Sequence, residues 1–401
     1  MIDTLKHNFL VYLLGNIVFG FMQWIVILLI LKLGTQNDLG AYTYGVALIA
    51  PLVLLLSFGF NTLIVTTDEF KRERYFKARF IMSVLILLIY MIIIMLFTSI
   101  NSNQYLLLFM VGLSKVAENL LDINFAYYIK EQKHRFVGYF KLGLSFLQMG
   151  LIIALYYTIG NLVLPFTIYS LLTIVCFFII NKQAFVLEKL NVNEYKKLIS
   201  LGIPLSITLF LSSLNTNIPK YVLEYASSIA AVGIFSSILT IYSAGNTFFF
   251  SIYNYVLPKT VENKFNFSYL KKLLVGIIIG GIFSYVIMII VSFTILDNII
   301  VIMFNQKFLA YKLQILIIIF SAILVYMSIL FDLYINAHNK YKYNTRIQVI
   351  SVVIVLLSSL ILINLFGILG ATYTFTIFAI SIFVMKLILS LKIIKGVKNE
   401  I

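Results

Sequence analysis

Charge is what this 401-residue chain has least of. Asp, Glu, Lys and Arg make up only 11% of it, against 62% apolar residues and a mean hydropathy of +1.03. Soluble domains carry about 25% charged residues, so a water-soluble globule is excluded. Cysteine is nearly absent too. The single Cys176 lies inside an apolar run, which excludes a disulfide framework and a cysteine metal site. Acids are scarcer than bases, 15 against 30, for a net charge of +15. The three histidines (His7, His134, His338) fall in separate segments. No Cys/His spacing, phosphate loop or nucleophile motif is present, so no catalytic residue and no metal ligand is assigned.

What is abundant is apolar sequence in blocks. Six are predicted at residues 9–31, 42–65, 80–98, 105–128, 142–159 and 162–181, and six more at 199–218, 228–256, 273–296, 313–336, 347–366 and 368–390. A helix needs about 20 residues to cross a bilayer, so about twelve spans use roughly 250 residues and leave no room for an aqueous catalytic domain. The first block ends in Lys32-Leu33-Gly34 without a small-x-small cleavage site, and is expected to be a retained helix. The expected fold class is an all-α polytopic membrane protein.

Basic residues segregate by connection. With the N-terminus inside, the inner segments hold Lys6, the group Lys71, Arg72, Arg74, Lys77 and Arg79, and the group Lys130, Lys133, Arg135 and Lys141. Further inner groups run through Lys182 to Lys197, Lys259 to Lys272, Lys340 to Arg346, and Lys386 to Lys398. The outer loops hold only Lys32, Lys220, Lys307 and Lys312. Short loops obey the positive-inside bias, so both termini are expected to be cytoplasmic. The excess charge is a topology signal, and nucleic acid is not an expected partner.

The chain divides into residues 1–198 and 199–401, six spans each. Leu39-Gly40-Ala41-Tyr42 opens the second span and Val232-Gly233-Ile234-Phe235 occupies the matching place in the eighth. Asp122 precedes Lys130 by eight residues near the end of the fourth span, as Asp332 precedes Lys340 in the tenth. An even number of spans per half gives both halves one orientation, the parallel repeat that alternating-access transporters use.

Charge inside a span is costly and faces a cavity or a partner. The fourth span carries Lys115, Glu118, Asn119 and Asp122 on one helical face. Two readings stand for this stripe: a cavity wall or latch between lobes, or a lysine pairing with Glu118 or Asn119 that ties helices together. The seventh span ends in Asn217, Pro219, Lys220 and Glu224. Pro219 is expected to break or kink the helix. Lys220 either adds positive potential to a cavity mouth or pairs with Glu224 at i, i+4. Asn16, Gln23, Asn61, Asn246 and Asn254 add polar groups on spans 1, 2, 7 and 8 where a central cavity requires them, and hydrogen bonding between helices accounts for each of them equally.

These residues resemble a known group. The segment from Asn217 to Glu224, with Val232-Gly233-Ile234-Phe235, Gly245-Asn246-Thr247 and Pro258-Lys259, is similar to bacterial Wzx-type oligosaccharide flippases. These are polysaccharide exporters of the MOP (multidrug/oligosaccharidyl-lipid/polysaccharide) superfamily. Gly112 to Glu118 with Asp122 and Gln132 to Arg135 resembles that family's fourth span and following loop. Leu39 to Tyr42, Pro51, Thr67-Asp68 and Arg79 resemble its second span and first inner loop. Many relatives carry an Asp beside the basic residue at the end of the seventh span, where this chain has Pro219 before Lys220.

The resemblance implies two six-helix lobes forming a V around a basic cavity, in the bacterial inner membrane. It implies as cargo an undecaprenyl-diphosphate-linked oligosaccharide, such as an O-antigen repeat unit, moved from the inner to the outer leaflet. Membrane lipids, a polysaccharide polymerase and a chain-length regulator are the implied partners. No cofactor is implied beyond a coupling H+ or Na+, with Glu224 and Asp332 as latch or coupling residues. The main alternative is a multidrug and toxic-compound (MATE-type) cation antiporter, which needs membrane acids that the first span lacks. A polymerase needs a large outer loop with arginines, and residues 297–312 offer a short one with none. Lipid II flippases of the same superfamily have more spans.

Overall fold

The computed structural model describes residues 2–66, 71–97, 102–181, 192–338 and 340–399. Thr67, Asp68, Lys182 and Lys189 lie outside them. The described residues form fourteen α-helices and one 3-10 turn, and no strand. The first seven helices are α1 (Ile2–Leu33), α2 (Gln36–Leu56), α3 (Phe60–Thr66), α4 (Arg72–Phe97), α5 (Ser102–Lys130), α6 (His134–Ile159) and α7 (Val163–Ile180). Next come α8 (Val192–Ala226), α9 (Ile229–Glu262), α10 (Phe267–Thr294), α11 (Leu296–Met303), the 3-10 turn (Gln306–Tyr311), α12 (Lys312–Ala337), α13 (Tyr341–Phe366) and α14 (Ile368–Asn399).

Ten of these helices are long and apolar enough to cross a membrane, and α8 is an eleventh if its two bent segments count as one span. The remaining long helix, α5, is less apolar because it carries the stripe of Lys115, Glu118 and Asp122. It is as long as the others, and the twelve expected spans correspond to twelve long helices among the described residues.

Local signals place the ends. Thr35 and Asp38 form a reciprocal capping box that starts α2 six residues before the expected span. That span is also broken where the sequence reading has it continuous. Phe58 and Gly59 take positive φ (46° and 57°), which ends α2 and starts α3. Gly160, at φ 69°, stops α6 in the left-handed conformation open to glycine.

The anticipated break at Pro219 is not there. Helix α8 runs through Pro219 and bends instead by 49° between Asn193–Ile203 and Ser206–Ala226. The bend falls at the other proline of the helix, Pro204, which likewise lacks an amide hydrogen for the ladder. One missing bond, to the carbonyl of residue 215, is not enough to interrupt a helix this long at Pro219.

Two compact units divide within α8, Met1–Leu214 and Asn215–Ile401; the expected boundary at 198/199 lies in the same helix. In the first unit, α5 is the central helix, packed chiefly on α7 and α2 and then α4. Phe60, Phe76, Tyr169 and Phe177 fill its core, and the start of α8 docks there through Leu198 and an Arg74–Glu194 ion pair. Helix α1 lies along α6 at close range: a methyl on Gly15 would come within 2.5 Å of the Gly138 Cα. In the second unit α12 takes the central place, packed chiefly on α14 and α9 and then α10, over Leu270, Phe331, Tyr334 and Ile393. Counting spans, this is the same scheme twice: the fourth helix on the sixth, second and third. Helices α10 and α13 bury little of their surface in the protein while remaining strongly apolar, as lipid-facing spans do.

Candidate functional site: charges within the spans

Lys115 sits about 20 Å along α5 from Ser102 at 1.5 Å per residue, near the middle of the helix. Its ammonium donates to Glu118 Oε2 at 2.9 Å and to Gln23 Oε1 on α1 at 2.7 Å. Gln23 in turn donates to Gln148 Oε1 on α6 at 2.9 Å, and the Tyr169 hydroxyl on α7 donates to Glu118 Oε1 at 3.1 Å. Both oxygens of Glu118 are thus occupied, and the charge of Lys115 is met by a carboxylate. Lys115 is thus paired with Glu118 within its own helix.

One turn along the stripe, Asn119 Oδ1 accepts from Arg79 Nη1 at 2.7 Å, and Arg79 Nη2 donates to Asn61 Oδ1 at 3.1 Å. The guanidinium also lies 5.4 Å from the Phe60 ring centroid. Arg79 is 1% exposed. This corrects its placement among the loop charges: it lies inside the bundle, where two amide carbonyls and an aromatic face stand in for water. Lys141 is corrected likewise. It donates to Asn16 Oδ1 at 2.7 Å and lies over the rings of Phe125 and Phe19, at 5.3 and 5.7 Å. Asp122 makes no direct hydrogen bond or ion pair among the described residues and feels the charges of Lys141, Arg79 and Lys115. The stripe therefore reaches Gln23 directly and Asn61 through Arg79, tying α5 to α1, α4 and α7 within the first unit, while Asn16 is bonded to Lys141 of α6.

In the second unit, Asp332 on α12 accepts from Lys386 Nζ at 2.7 Å and from Asn344 Nδ2 at 3.1 Å. Its partners are inside its own unit. Lys386, 3% exposed, is a third basic residue that leaves the expected inner face, here for a partly buried carboxylate. Asn215 Nδ2 donates to Gln348 Oε1 at 2.8 Å and its Oδ1 accepts from Ser351 at 3.0 Å, pinning α8 to α13. This parallels Asn16–Lys141 and Gln23–Gln148 between the first and fifth spans. Asn246 accepts from the Tyr242 hydroxyl at 3.3 Å, beside a stack of Tyr242 on Tyr326. The Asn254 side chain is outside the described set.

Lys220 differs from Lys115 and Lys386, which pair with carboxylates, and from Arg79 and Lys141, which are held by amides but interact with the charge of Asp122. Its Nζ donates to Asn217 Oδ1 at 3.2 Å, and it makes no ion pair among the described residues. It is not paired with Glu224. Asn217 and Pro219 are buried beside it. No group of three His, Cys, Asp or Glu side chains suited to a metal is found among the described residues. The sequence reading missed Gln148 and Gln348, whose signal was a lone amide in an apolar run. It missed Arg79, Lys141 and Lys386 because each adjoins a basic cluster that masks it.

No family model matches the chain. The capsular polysaccharide biosynthesis protein CapF of Staphylococcus aureus is 29% identical over 395 residues, covering 92% of this chain and 95% of that one. Among solved structures, an inward-facing multidrug resistance MATE transporter of the MOP superfamily matches at TM-score 0.70 with 15% identity, covering 97% and 96% of the two chains. The lipid II flippase MurJ, in an inward closed conformation, matches at TM-score 0.72 with 13% identity, covering 97% and 90%. Whole-chain similarity to a polysaccharide biosynthesis protein bears out the resemblance drawn from short motifs, and the chain is a multi-pass membrane protein with the two-lobe fold of the MOP superfamily transporters.

Proposed function

We propose that this protein is a flippase for a diphosphate-linked lipid oligosaccharide, the undecaprenyl-borne repeat unit of a surface polysaccharide. It moves the unit from the inner to the outer leaflet of the bacterial cytoplasmic membrane by alternating access. The relationship to CapF supports a polysaccharide route, and the fold shared with MurJ supports a lipid-linked cargo. The observation that carries the reading is Lys220: a cation within a membrane helix, held by an amide, with no acid among the described residues acting on it as Asp122 acts on Arg79 and Lys141. A partly buried charge without a counter-charge is costly, and a phosphate arriving in a low-dielectric site supplies the missing partner. Lys115 is the weaker anion site, because a phosphate there must first displace Glu118.

Lys220→Ala should leave expression and membrane insertion intact and abolish glycan export in a complemented export-deficient host, while Lys220→Arg keeps part of it. Reconstituted vesicles should lose flipping of a diphosphate-linked saccharide in the same order. Undiminished export by Lys220→Ala would remove the assignment.

A further inference from the structure

Between α10 and α12 the chain makes an elbow, α11 followed by the 3-10 turn. Its inner face is Leu296, Ile300, Phe304 and Phe308, all buried, with the last two rings stacked at 4.9 Å. Its outer face is mixed: Val301 (42%) and Ile302 (72%) are exposed beside exposed Asp297, Asn298, Gln306 and Lys307, and Phe293 at the end of α10 is 87% exposed. Charges sit on the same short segment. Lys312 pairs with Asp297 at 2.7 Å at an exposed position, and Lys307 is exposed.

Exposed large apolar side chains beside exposed charges, spread from the end of α10 through α11 and the 3-10 turn, mark a segment lying along an apolar–aqueous boundary. What covers the apolar part follows from α10. That helix is strongly apolar and hardly buried in the protein, and its exposed Ile282, Phe283, Val286 and Ile290 lead without interruption into Phe293. Hydrocarbon on α10 therefore continues onto the elbow. The matching connection of the first unit, between α4 and α5, has only residues 98–101. The elbow belongs to the second unit alone.

We infer that the α11 elbow is a lipid-binding surface lying in the headgroup region of the bilayer. Phe293 and Ile302 enter the acyl chains and Lys307 reaches the phosphate layer. It fixes the depth of α10 and α12.

The test uses the full chain with its one tryptophan removed (Trp24→Phe) and Ile302→Trp or Lys307→Trp added, in vesicles of phosphatidylethanolamine and phosphatidylglycerol. The tryptophan at 302 should emit at shorter wavelength, lose intensity to acyl-brominated lipid and resist aqueous iodide; that at 307 should lose intensity to iodide. Two results overturn the inference. One is iodide quenching at 302 equal to that at 307, which places the elbow in water. The other is protection of 302 from both quenchers, which places a protein surface, such as a second copy, over it. If Trp24→Phe does not fold, a fluorescent label on Ile302→Cys in a Cys176→Ser chain reads the same two quenchers.

Discussion

Two lysines, one expected inside the fourth span and one at the outer end of the seventh, both lie on membrane helices and differ in what surrounds them. Lys115 has a carboxylate at 2.9 Å and an amide at 2.7 Å; among the described residues Lys220 has an amide alone. Electrostatics gives them opposite stability consequences. Removing Lys115 leaves Glu118 charged and partly buried, with only Tyr169 to bind it. Lys115→Met should therefore lower stability by about 1–3 kcal/mol, less than a fully dry ion pair because both groups keep some exposure. Adding Glu118→Gln should recover part of that loss, since the pair interaction and not either side chain alone is at stake. Thermal unfolding of the four proteins of the cycle in detergent measures this. Additive losses would mean that the two charges do not interact. Lys220→Met removes a charge with no acid to strand, and should leave the melting temperature unchanged or raise it.

At the scale of the helix, the bend of α8 separates two roles. The segment before it docks on the first unit through Leu198 and the Arg74–Glu194 pair; the segment after it carries Asn215, Asn217 and Lys220. If the absent amide of Pro204 causes the 49° bend, restoring that amide should straighten the helix. Spin labels on exposed Lys196 and Ser212 should then move apart in Pro204→Ala, toward the roughly 24 Å of sixteen residues of straight helix. The same labels should not shift in Pro219→Ala. An unchanged distance in Pro204→Ala would locate the cause of the bend in packing. Proline identified α8 as a candidate for distortion, but choosing between its prolines was beyond local rules. A missing amide hydrogen is the same at both positions, and only the surroundings decide which one yields.

For the whole molecule, the element count and class were legible because hydrocarbon imposes them: every backbone group must be bonded within its own helix. The repeat was legible only as two short echoes. The packing shows why they recur, since Asp122 and Asp332 stand on the central helix of each unit, α5 and α12. Their surroundings have diverged: Asp332 is closed off by Lys386, while Asp122 has no direct partner among the described residues. Partner choice of this kind depends on side chains far apart in the chain, which no spacing rule reaches. It also bears on topology. Arg79 and Lys386 are inside the protein, and Lys141 partly so, leaving fewer basic groups at the inner face than a loop count suggests. Exposed Lys71 and Lys133, with Lys196, Lys197, Lys271 and Lys272, still far outnumber Lys32 and Lys307 on the other face. The bias should survive. In a Cys176→Ser chain, a cysteine at Lys133 should react with an impermeant thiol reagent only after the cell membrane is opened, and one at Lys307 in intact cells. The reverse pattern would invert the molecule and with it the direction of transport proposed above.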